Sequence, residues 1–308
     1  MSKQFFYSHG KLLITGEYLV LDGVAALAIP TKLGQHLTVE ENDTNQLVWK
    51  SLDEQDNCWF ETSFNSTDEK TFLLTKEKEE NPVLATLIDI LNAAKELNSD
   101  FLSKGKGYTI ETKLEFNRHW GLGSSSTLLS NIAQWAMVDP FELLEKSFGG
   151  SGYDIACAQH DIPIIYKRIN SKPVIKEITF DPPYKTDLFF VYLNQKQSSK
   201  ESIKHYQSLP LKDFDKAAAS IKEITNSILE CTTIEVFEDL ITRHEQIISD
   251  IIKTTTVKSR LFPDYHKAIK SLGGWGGDFI LVTGTASEMD YFRLKGYLTI
   301  IPYDEMIF

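Results

Sequence analysis

The chain has 308 residues, of which 42% are hydrophobic and 24% are charged, values typical of folded soluble domains. Its 32 lysines and arginines are dispersed and outnumbered by 43 aspartates and glutamates, and the resulting net charge of −11 argues against a nucleic-acid-binding protein. No apolar run approaches the roughly 20 residues that span a bilayer, and three widely spaced cysteines without a CxxC pair argue against a disulfide framework or a thiolate zinc site. We therefore expect a soluble, cytoplasmic protein that binds neither nucleic acid nor a membrane.

The first forty residues predict β-strands, because short apolar or alternating runs are separated by glycine turns. These runs are residues 11–15, 18–21, 25–29 and 35–40. Residues 41–80 are polar and contain strand-like pieces such as residues 46–49, so we expect exposed hairpins or an insertion there.

A helix is predicted to begin at Pro82, since apolar residues then recur with helical spacing as far as Ala94. Residues 107–114 alternate like a strand. A glycine-rich turn at residues 121–123 then leads into a second helix, whose apolar face includes Leu129 and Ile132.

The second half predicts long helices and a few buried strands. The strands are expected at residues 188–193, 279–282 and 298–301, and the helices at about 212–230, 233–253, 262–272 and 287–294. Strands and helices alternate with an antiparallel character, which indicates an α+β fold. Pro182 and Pro183 favour a domain boundary near residue 180, giving domains 1–180 and 181–308.

The segment Gly-Leu-Gly-Ser-Ser-Ser at residues 121–126 carries the most chemical information. Glycines permit a close backbone approach, and amides at a helix N-terminus bind anions such as phosphate. A glycine turn with a serine N-cap would explain the same letters, and the motif alone does not decide between the two. A P-loop and a dinucleotide-binding GxGxxG fingerprint are absent from the sequence.

Three further segments are candidates. Asp154 follows the glycine-rich residues 149–152, where it either caps a helix beginning at Ile155 or handles a substrate hydroxyl. Lys11 follows Gly10 and leads into the first strand, where an ammonium group would balance carboxylate or phosphoryl charge. Residues 273–277 hold four glycines before a strand, which indicates a close backbone approach.

In this order, the segments resemble the motifs of the GHMP kinase superfamily over residues 10–279, nearly the whole chain. Residues 10–21 (GKLLITGEYLVL) and 150–156 (GSGYDIA) are most similar to the phosphomevalonate and mevalonate kinase branch. The SGYD string favours the kinases over the related decarboxylases. The resemblance implies a ribosomal S5-like N-terminal domain, a ferredoxin-like C-terminal domain and the use of ATP and Mg²⁺.

The resemblance also implies roles for single residues. Asp154 would be the catalytic carboxylate and Lys11 its charge partner. Ser125 would bind Mg²⁺, with Glu145 as a second ligand from the preceding helix. The ATP phosphates would lie against Gly121, Leu122, Gly123, Ser124, Ser125 and Ser126. The acceptor would lie near Glu17, Tyr18, Ser151, Gly152, Ser199 and Lys200, and near the late glycine loop with Gly274, Gly276 and Gly277.

We therefore expect phosphoryl transfer from ATP to a small, anionic acceptor of the mevalonate pathway, with phosphomevalonate favoured. Mevalonate kinase, another GHMP kinase acting on a metabolite hydroxyl, and a catalytically silent nucleotide-binding protein on the same fold remain alternatives. Three departures from the family pattern keep them open: residues 117–120 lack the usual proline, Ser126 replaces an alanine, and Trp275 interrupts the late glycine loop. The sequence leaves the oligomeric state open, a homodimer included.

Overall fold

The computed structural model describes residues 3–65, 81–102, 106–210 and 213–308. These residues form two compact units, each discontinuous in sequence. The first comprises Met1–Gly10, Leu33–Arg118 and Gly123–Gln159, and the second Lys11–Lys32, His119–Leu122 and His160–Phe308. Both units mix helices with sheets, which confirms the predicted α+β class. The S5-like and ferredoxin-like domains and their boundary near residue 180 stay predictions.

The sheet of the first unit is built around β5 (Gly107–Leu114). β5 pairs in parallel with β3 (Gln46–Leu52), which pairs antiparallel with β4 (Cys58–Asn65). On its other side β5 pairs antiparallel with the C-terminal part of β2 (Ala26–Asn42), where Gln35 lies opposite Leu114. β1 (Lys3–Leu13) also pairs with β2.

Among the described residues, four helices belong to the first unit: α1 (Pro82–Leu97), α2 (Ser124–Ala136), α3 (Pro140–Lys146) and α4 (Tyr153–Ala158). Their apolar faces pack with the sheet in one core that includes Trp49, Leu91, Ile110, Ile132 and Ile155. α1 begins where the sequence predicted, because proline suits the first turn of a helix and Asn81 caps the amides of Val83 and Leu84.

The second unit contains two groups of strands. The N-terminal residues of β2 pair with β6 (Ile164–Ile169), which pairs with β7 (Lys172–Glu177). A separate antiparallel sheet has the order β11 (Ile300–Pro302), β8 (Leu188–Tyr192), β10 (Phe279–Thr283) and β9 (Ile269–Ser271).

The α-helices described for the second unit are α5 (Ser199–Ser208), α6 (Phe214–Glu230), α7 (Ile234–Ile252), α8 (Val257–Leu261), α9 (Asp290–Leu294) and α10 (Tyr303–Met306). One core includes Ile221 of α6, Ile248 of α7 and Tyr18, and a second includes Phe189 and Phe262. None of the helices in the described residues is long and apolar enough to cross a membrane.

Two sequence predictions are wrong. Residues 18–21 were expected to be a strand, but Leu19–Asp22 form a 3-10 helix, because left-handed residues at Gly16, Tyr18 and Gly23 turn the chain on either side. The helix expected over residues 262–272 is absent: residues 269–271 form β9, which gains hydrogen-bonding partners in β10. The strand-like residues 46–49 do lie in β3, whereas residues 66–80 fall outside the described residues.

Candidate active site

Helix α2 begins directly after a glycine turn, as the sequence predicted. Gly123 occupies the N-cap with a φ of 89°, a left-handed conformation that favours glycine. Its carbonyl accepts hydrogen bonds from the amides of Ser126 and Thr127 at 2.9 and 3.0 Å. The amides of Ser124 and Ser125 therefore precede the first intrahelical bond, and such amides bind anions at helix N-termini. The Ser125 side chain is exposed and Ser126 is buried.

In the second unit, Lys11 binds the backbone of Gly121 and Leu122, the residues that precede Gly123 in this turn. Its backbone amide donates to the carbonyl of Leu122 at 3.0 Å, and its Nζ donates to the carbonyl of Gly121, also at 3.0 Å. The side chain is only 8% exposed. A buried ammonium group is thus fixed to the backbone of the predicted phosphate-binding turn.

Asp278 supplies a carboxylate at the same place. A Cβ built on Gly121 would lie 2.3 Å from Asp278 Cγ, so the carboxylate packs directly against the glycine backbone. Asp278 Oδ1 accepts a hydrogen bond from the amide of Gln197 at 3.0 Å. Burial raises the pKa of Asp278 above its ordinary value, and the Gln197 amide and the charges of Lys11 and Lys196 oppose this shift. Lys11 and Asp278 therefore form a buried pair of opposite charges beside Gly121.

Asp154 lies in the first unit, at the second residue of α4. The N-cap of this helix is Gly152, with a φ of 87°, so Asp154 is not the cap residue that one reading of the sequence proposed. Its side chain is partly exposed, whereas Ser151 and Gly152 are buried. A carboxylate in the first turn of a helix is favoured by the helix dipole. Its predicted catalytic role stays a prediction.

The predicted metal ligands are exposed residues of the first unit. Ser125 is the second residue of α2, and Glu145 lies near the end of α3. Among the described residues no group of three His, Cys, Asp or Glu side chains forms a metal site. A hydroxyl and a carboxylate are oxygen ligands that suit Mg²⁺, which is commonly held by one or two carboxylates together with substrate phosphates. The donor types therefore fit the ion.

Glu17 lies in the interior of the second unit, 1% exposed, and pairs with the equally buried Lys270. Burial raises the pKa of Glu17 to about 7, although Lys270 opposes the shift. His244 Nε2 accepts from the amide of Gly16 at 3.0 Å and lies 3.4 Å from Glu17 Oε2, and burial holds its pKa well below the ordinary value. The Glu17 carboxylate thus lies in a buried cluster that also contains Lys270, His244 and Glu245. The contact of Glu17 with a substrate stays a prediction.

A cavity of about 590 Å³ lies within the second unit. Tyr18, next in sequence to the buried Glu17, lines it, and the Tyr18 ring centroid lies 5.4 Å from that of Tyr206 with the rings tilted by 34°. Ser199 and Lys200 are exposed at the start of α5, whose N-cap is Ser198. The next two residues of that helix, Glu201 and Ser202, line the cavity.

The late glycine loop forms part of the cavity wall. Gly274 and Gly276 line it together with the buried Trp275. A Cβ on Gly277 would lie 2.6 Å from the carbonyl oxygen of Gln195, which confirms the close backbone approach predicted for this loop. The approach is to the segment at Gln195 and Gln197.

Two residues of this region were missed by the sequence reasoning. Asp278 ends the glycine-rich loop, and an acidic residue at that point was a usable signal. Arg260 lines the cavity from α8 and belongs to no motif, so only the fold reveals it.

The fold matches solved structures over nearly the whole chain. A mevalonate kinase gives a TM-score of 0.72 at 13% identity, covering 97% of this chain and 98% of that one. The phosphomevalonate kinase of Streptococcus pneumoniae, in complex with phosphomevalonate and AMPPNP, gives 0.67 at 14% identity, covering 96% and 99%. The galactokinase of Lactococcus lactis, complexed with galactose, gives 0.65 at 12% identity, covering 95% and 88%. The chain has the GHMP kinase fold.

This likeness confirms the fold predicted from the sequence motifs. No family model and no curated protein matches the chain. The GHMP kinase fold is thus established by structure at identities of 12–14% in these three comparisons. Because one fold can carry different activities, the reaction must be argued from the residues of the site.

Proposed function

We propose that the chain is an ATP-dependent kinase that transfers the γ-phosphoryl group of ATP to a small-molecule acceptor. The observation that carries this proposal is the glycine turn before α2, with the Lys11 ammonium on the Gly121 carbonyl and open amides at Ser124 and Ser125. A buried cation and a helix N-terminus are the two devices that proteins commonly use for phosphate groups.

In the proposed reaction the residues of the turn hold and orient the ATP phosphates. The amides of residues 121–126 donate to phosphate oxygens, and the serine hydroxyls add further donors. Lys11 offers positive charge to the phosphoryl group as negative charge develops on it. Mg²⁺, held by Ser125 and Glu145, would neutralise phosphate charge. Positioning and electrostatics supply most of the rate enhancement in such reactions.

The phosphoryl group is proposed to pass directly from ATP to the acceptor by in-line attack, without a covalent enzyme intermediate. Asp154 is proposed to act on the attacking group of the acceptor. With a hydroxyl acceptor, the carboxylate orients the hydroxyl and takes its proton. With a phosphate acceptor, the attacking oxygen is already ionised, and Asp154 positions it together with Lys11.

Phosphomevalonate is the favoured acceptor, and the protein would then act in the cytoplasm in isoprenoid biosynthesis. Support comes from the GSGYDIA segment at residues 150–156, which resembles the phosphomevalonate kinases. The phosphomevalonate kinase of Streptococcus pneumoniae, bound to phosphomevalonate, shares the fold over 96% of this chain.

A coupled ADP-release assay with MgATP tests the reaction and the acceptor together. The panel contains mevalonate, phosphomevalonate, homoserine and galactose. We expect turnover on phosphomevalonate. Turnover on another panel member would keep the kinase proposal and replace the acceptor. ATP binding with no turnover on any of the four would favour a nucleotide-binding protein without transferase activity.

Asp154→Ala tests the proposed catalytic role. We expect this variant to lose turnover by at least about 100-fold, whether Asp154 positions the attacking oxygen or takes its proton, while its affinity for ATP stays within about twofold. Asp154→Asn, which keeps the size and removes the charge, should lose activity as well. Turnover equal to that of the wild type in either variant would rule out the role. Thermal unfolding of both variants checks that they are folded.

A further inference from the structure

The cavity in the second unit has the size and the lining of a small-molecule site. Its volume of about 590 Å³ lies in the range of ligand pockets, roughly 300–1,000 Å³. Apolar and aromatic side chains form part of the wall, including Leu193, Ile252 and Tyr297, and polar groups come from Gln197, Ser202 and Arg260. Such a wall suits a metabolite with both polar and apolar parts.

Arg260 differs from the other four arginines of the chain. Arg243 and Arg293 form ion pairs with aspartates, Arg168 donates to the carbonyl of Ser171, and Arg118 lies over the ring of Trp59. In the described parts of the chain, the guanidinium of Arg260 has no hydrogen bond, ion pair or ring contact. Arg260 is an exposed residue, so a planar group with five donors and a permanent charge faces the open cavity without a protein partner among the described residues.

The late glycine loop places the guanidinium in one corner of the cavity. A Cβ on Gly276 would lie 3.6 Å from Arg260 Nη2 and 3.9 Å from Gln197 Oε1, so the three residues meet at one point. Trp275 is 4% exposed in the same wall, and within the described chain its Nε1 donor has no acceptor. The guanidinium of Arg260 is exposed, so ligand oxygens in the cavity can accept its hydrogen bonds, whereas the Nε1 atom of Trp275 is itself buried.

The wall is not uniformly positive. Glu201 of α5 also lines the cavity, as does His205, whose Nε2 lies 2.9 Å from the carbonyl oxygen of Ile252. A carboxylate in the wall favours hydrogen-bond donors such as hydroxyl groups and disfavours a second anion nearby. The lining thus suits a molecule with an anionic group at one end and hydroxyls elsewhere.

We propose that this cavity binds the acceptor substrate and that Arg260 holds the acceptor's anionic group, a phosphate or a carboxylate. Identifying the ligand as the acceptor rests on the kinase function proposed above, whereas anion binding by Arg260 does not depend on that function. Arginine pairs with both anions through two parallel hydrogen bonds. Arg260 would thereby favour anionic acceptors over neutral sugars.

Calorimetric binding without ATP tests the anion site separately from catalysis. The probes are phosphomevalonate, mevalonate, inorganic phosphate and galactose. We expect Arg260→Gln to weaken phosphomevalonate binding about 10- to 100-fold, the usual value of charged hydrogen bonds, and to leave galactose binding unchanged. Arg260→Lys should lose less, because the charge remains. Arg243→Gln, which removes an exposed arginine outside the cavity, is the matched control.

The probes also identify which anion Arg260 holds. A larger loss for phosphomevalonate and inorganic phosphate than for mevalonate would assign the phosphate, and equal losses for mevalonate and phosphomevalonate would assign the carboxylate. Unchanged binding of all three anions in Arg260→Gln would overturn the proposal. No binding of any of them to the wild-type protein at millimolar concentration would overturn it too.

Trp275 provides a second measurement that places the ligand in the cavity. Its fluorescence should change when phosphomevalonate is added, and Trp275→Phe should abolish that change while the other four tryptophans remain. An identical change in Trp275→Phe would place the ligand elsewhere. Weakened anion binding by Arg260→Gln without turnover of any acceptor would support the anion site and refute the kinase function. Turnover with an unchanged KM for the acceptor in Arg260→Gln would support the kinase function and refute the anion site.

Discussion

Gly121 and Gly149 have nearly the same backbone conformation, with φ values of 69° and 68°, but different surroundings. A Cβ on Gly149 would meet no atom within 4 Å, whereas a Cβ on Gly121 would lie 2.3 Å from Asp278 Cγ. The Asp278 carboxylate cannot swing away freely, because it is buried and bonded to the amide of Gln197. Comparing alanine substitutions at the two positions therefore separates the cost of backbone strain from the cost of a steric clash.

Gly121→Ala should be more destabilising than Gly149→Ala. Both variants bear the strain of a left-handed alanine, about 1–2 kcal/mol, and Gly121→Ala adds overpacking of about 1–3 kcal/mol. Urea unfolding measures the difference in the free energy of unfolding. Equal losses would show that Asp278 does not pack against the turn. With the proposed function, Gly121→Ala should also weaken ATP binding.

The buried cluster around Glu17 links stability to pH in two opposite ways. Glu17, with its pKa raised to about 7, keeps its proton in the folded state where the unfolded chain loses it, so stability falls as pH rises from about 4.5 to 7. Glu245, whose pKa burial also raises, acts with the same sign. His244 stays neutral when folded, so its contribution to stability is lost as pH falls below about 6.5.

Glu17→Gln should reveal the His244 contribution. The substitution removes the opposing titration of Glu17, so the free energy of unfolding should rise more steeply between pH 5 and 6.5 than it does in the wild type. Urea unfolding at several pH values gives the slope. Glu223→Gln, an exposed change on α6, serves as the control and should leave the slope unchanged. A slope in Glu17→Gln equal to that of the wild type would contradict the raised pKa.

Helix α3 shows how a single cap sets the start of an element. Asp139 Oδ1 accepts hydrogen bonds from the amides of Phe141 and Glu142 at 2.7 and 3.2 Å, and Pro140 occupies the first turn. These are common start signals of a helix. The cap places Glu145, a proposed metal ligand, near the end of the same short helix.

Asp139→Ala should destabilise the protein by about 1 kcal/mol, the usual cost of losing an N-cap, because two amides lose their acceptor. Asp139→Asn should retain most of the stability, since asparagine caps equally well. Glu142→Ala changes a side chain in the same turn that makes no capping bond and keeps the backbone amide, so it should cost only a few tenths of a kcal/mol. Thermal or urea unfolding measures all three. A loss in Asp139→Asn as large as in Asp139→Ala would contradict the capping role.

At the scale of elements, local signals were sufficient for some parts and misleading for others. α1 and α2 were predicted because a proline or a glycine turn precedes a helical repeat of apolar residues. Residues 262–272 carry a helical spacing too, but residues 269–271 pair with β10, and no local pattern shows that pairing. Tertiary hydrogen bonds decided the conformation there.

For the whole molecule, the order of the motifs predicted the GHMP kinase fold although pairwise identity to the compared structures is only 12–14%. The glycine turn before α2 could be predicted because its residues are adjacent in sequence. The contact of Asp278 with Gly121 and the position of Arg260 in the cavity could not, because both depend on segments far apart in the chain. The proposed site residues in short motifs were thus accessible from sequence, and those supplied by tertiary packing were not.

The pairing of Glu17 with Lys270 also bears on biosynthesis. The two residues are 253 positions apart, so at typical rates of about 5–20 residues per second Glu17 is incorporated roughly 13–50 s before Lys270. During that time Glu17 lacks Lys270, its buried counter-ion, and for most of it also lacks His244, which contacts Glu17 in the same buried cluster. The second unit therefore completes this part of its interior only after Lys270 has been made and has emerged from the ribosome.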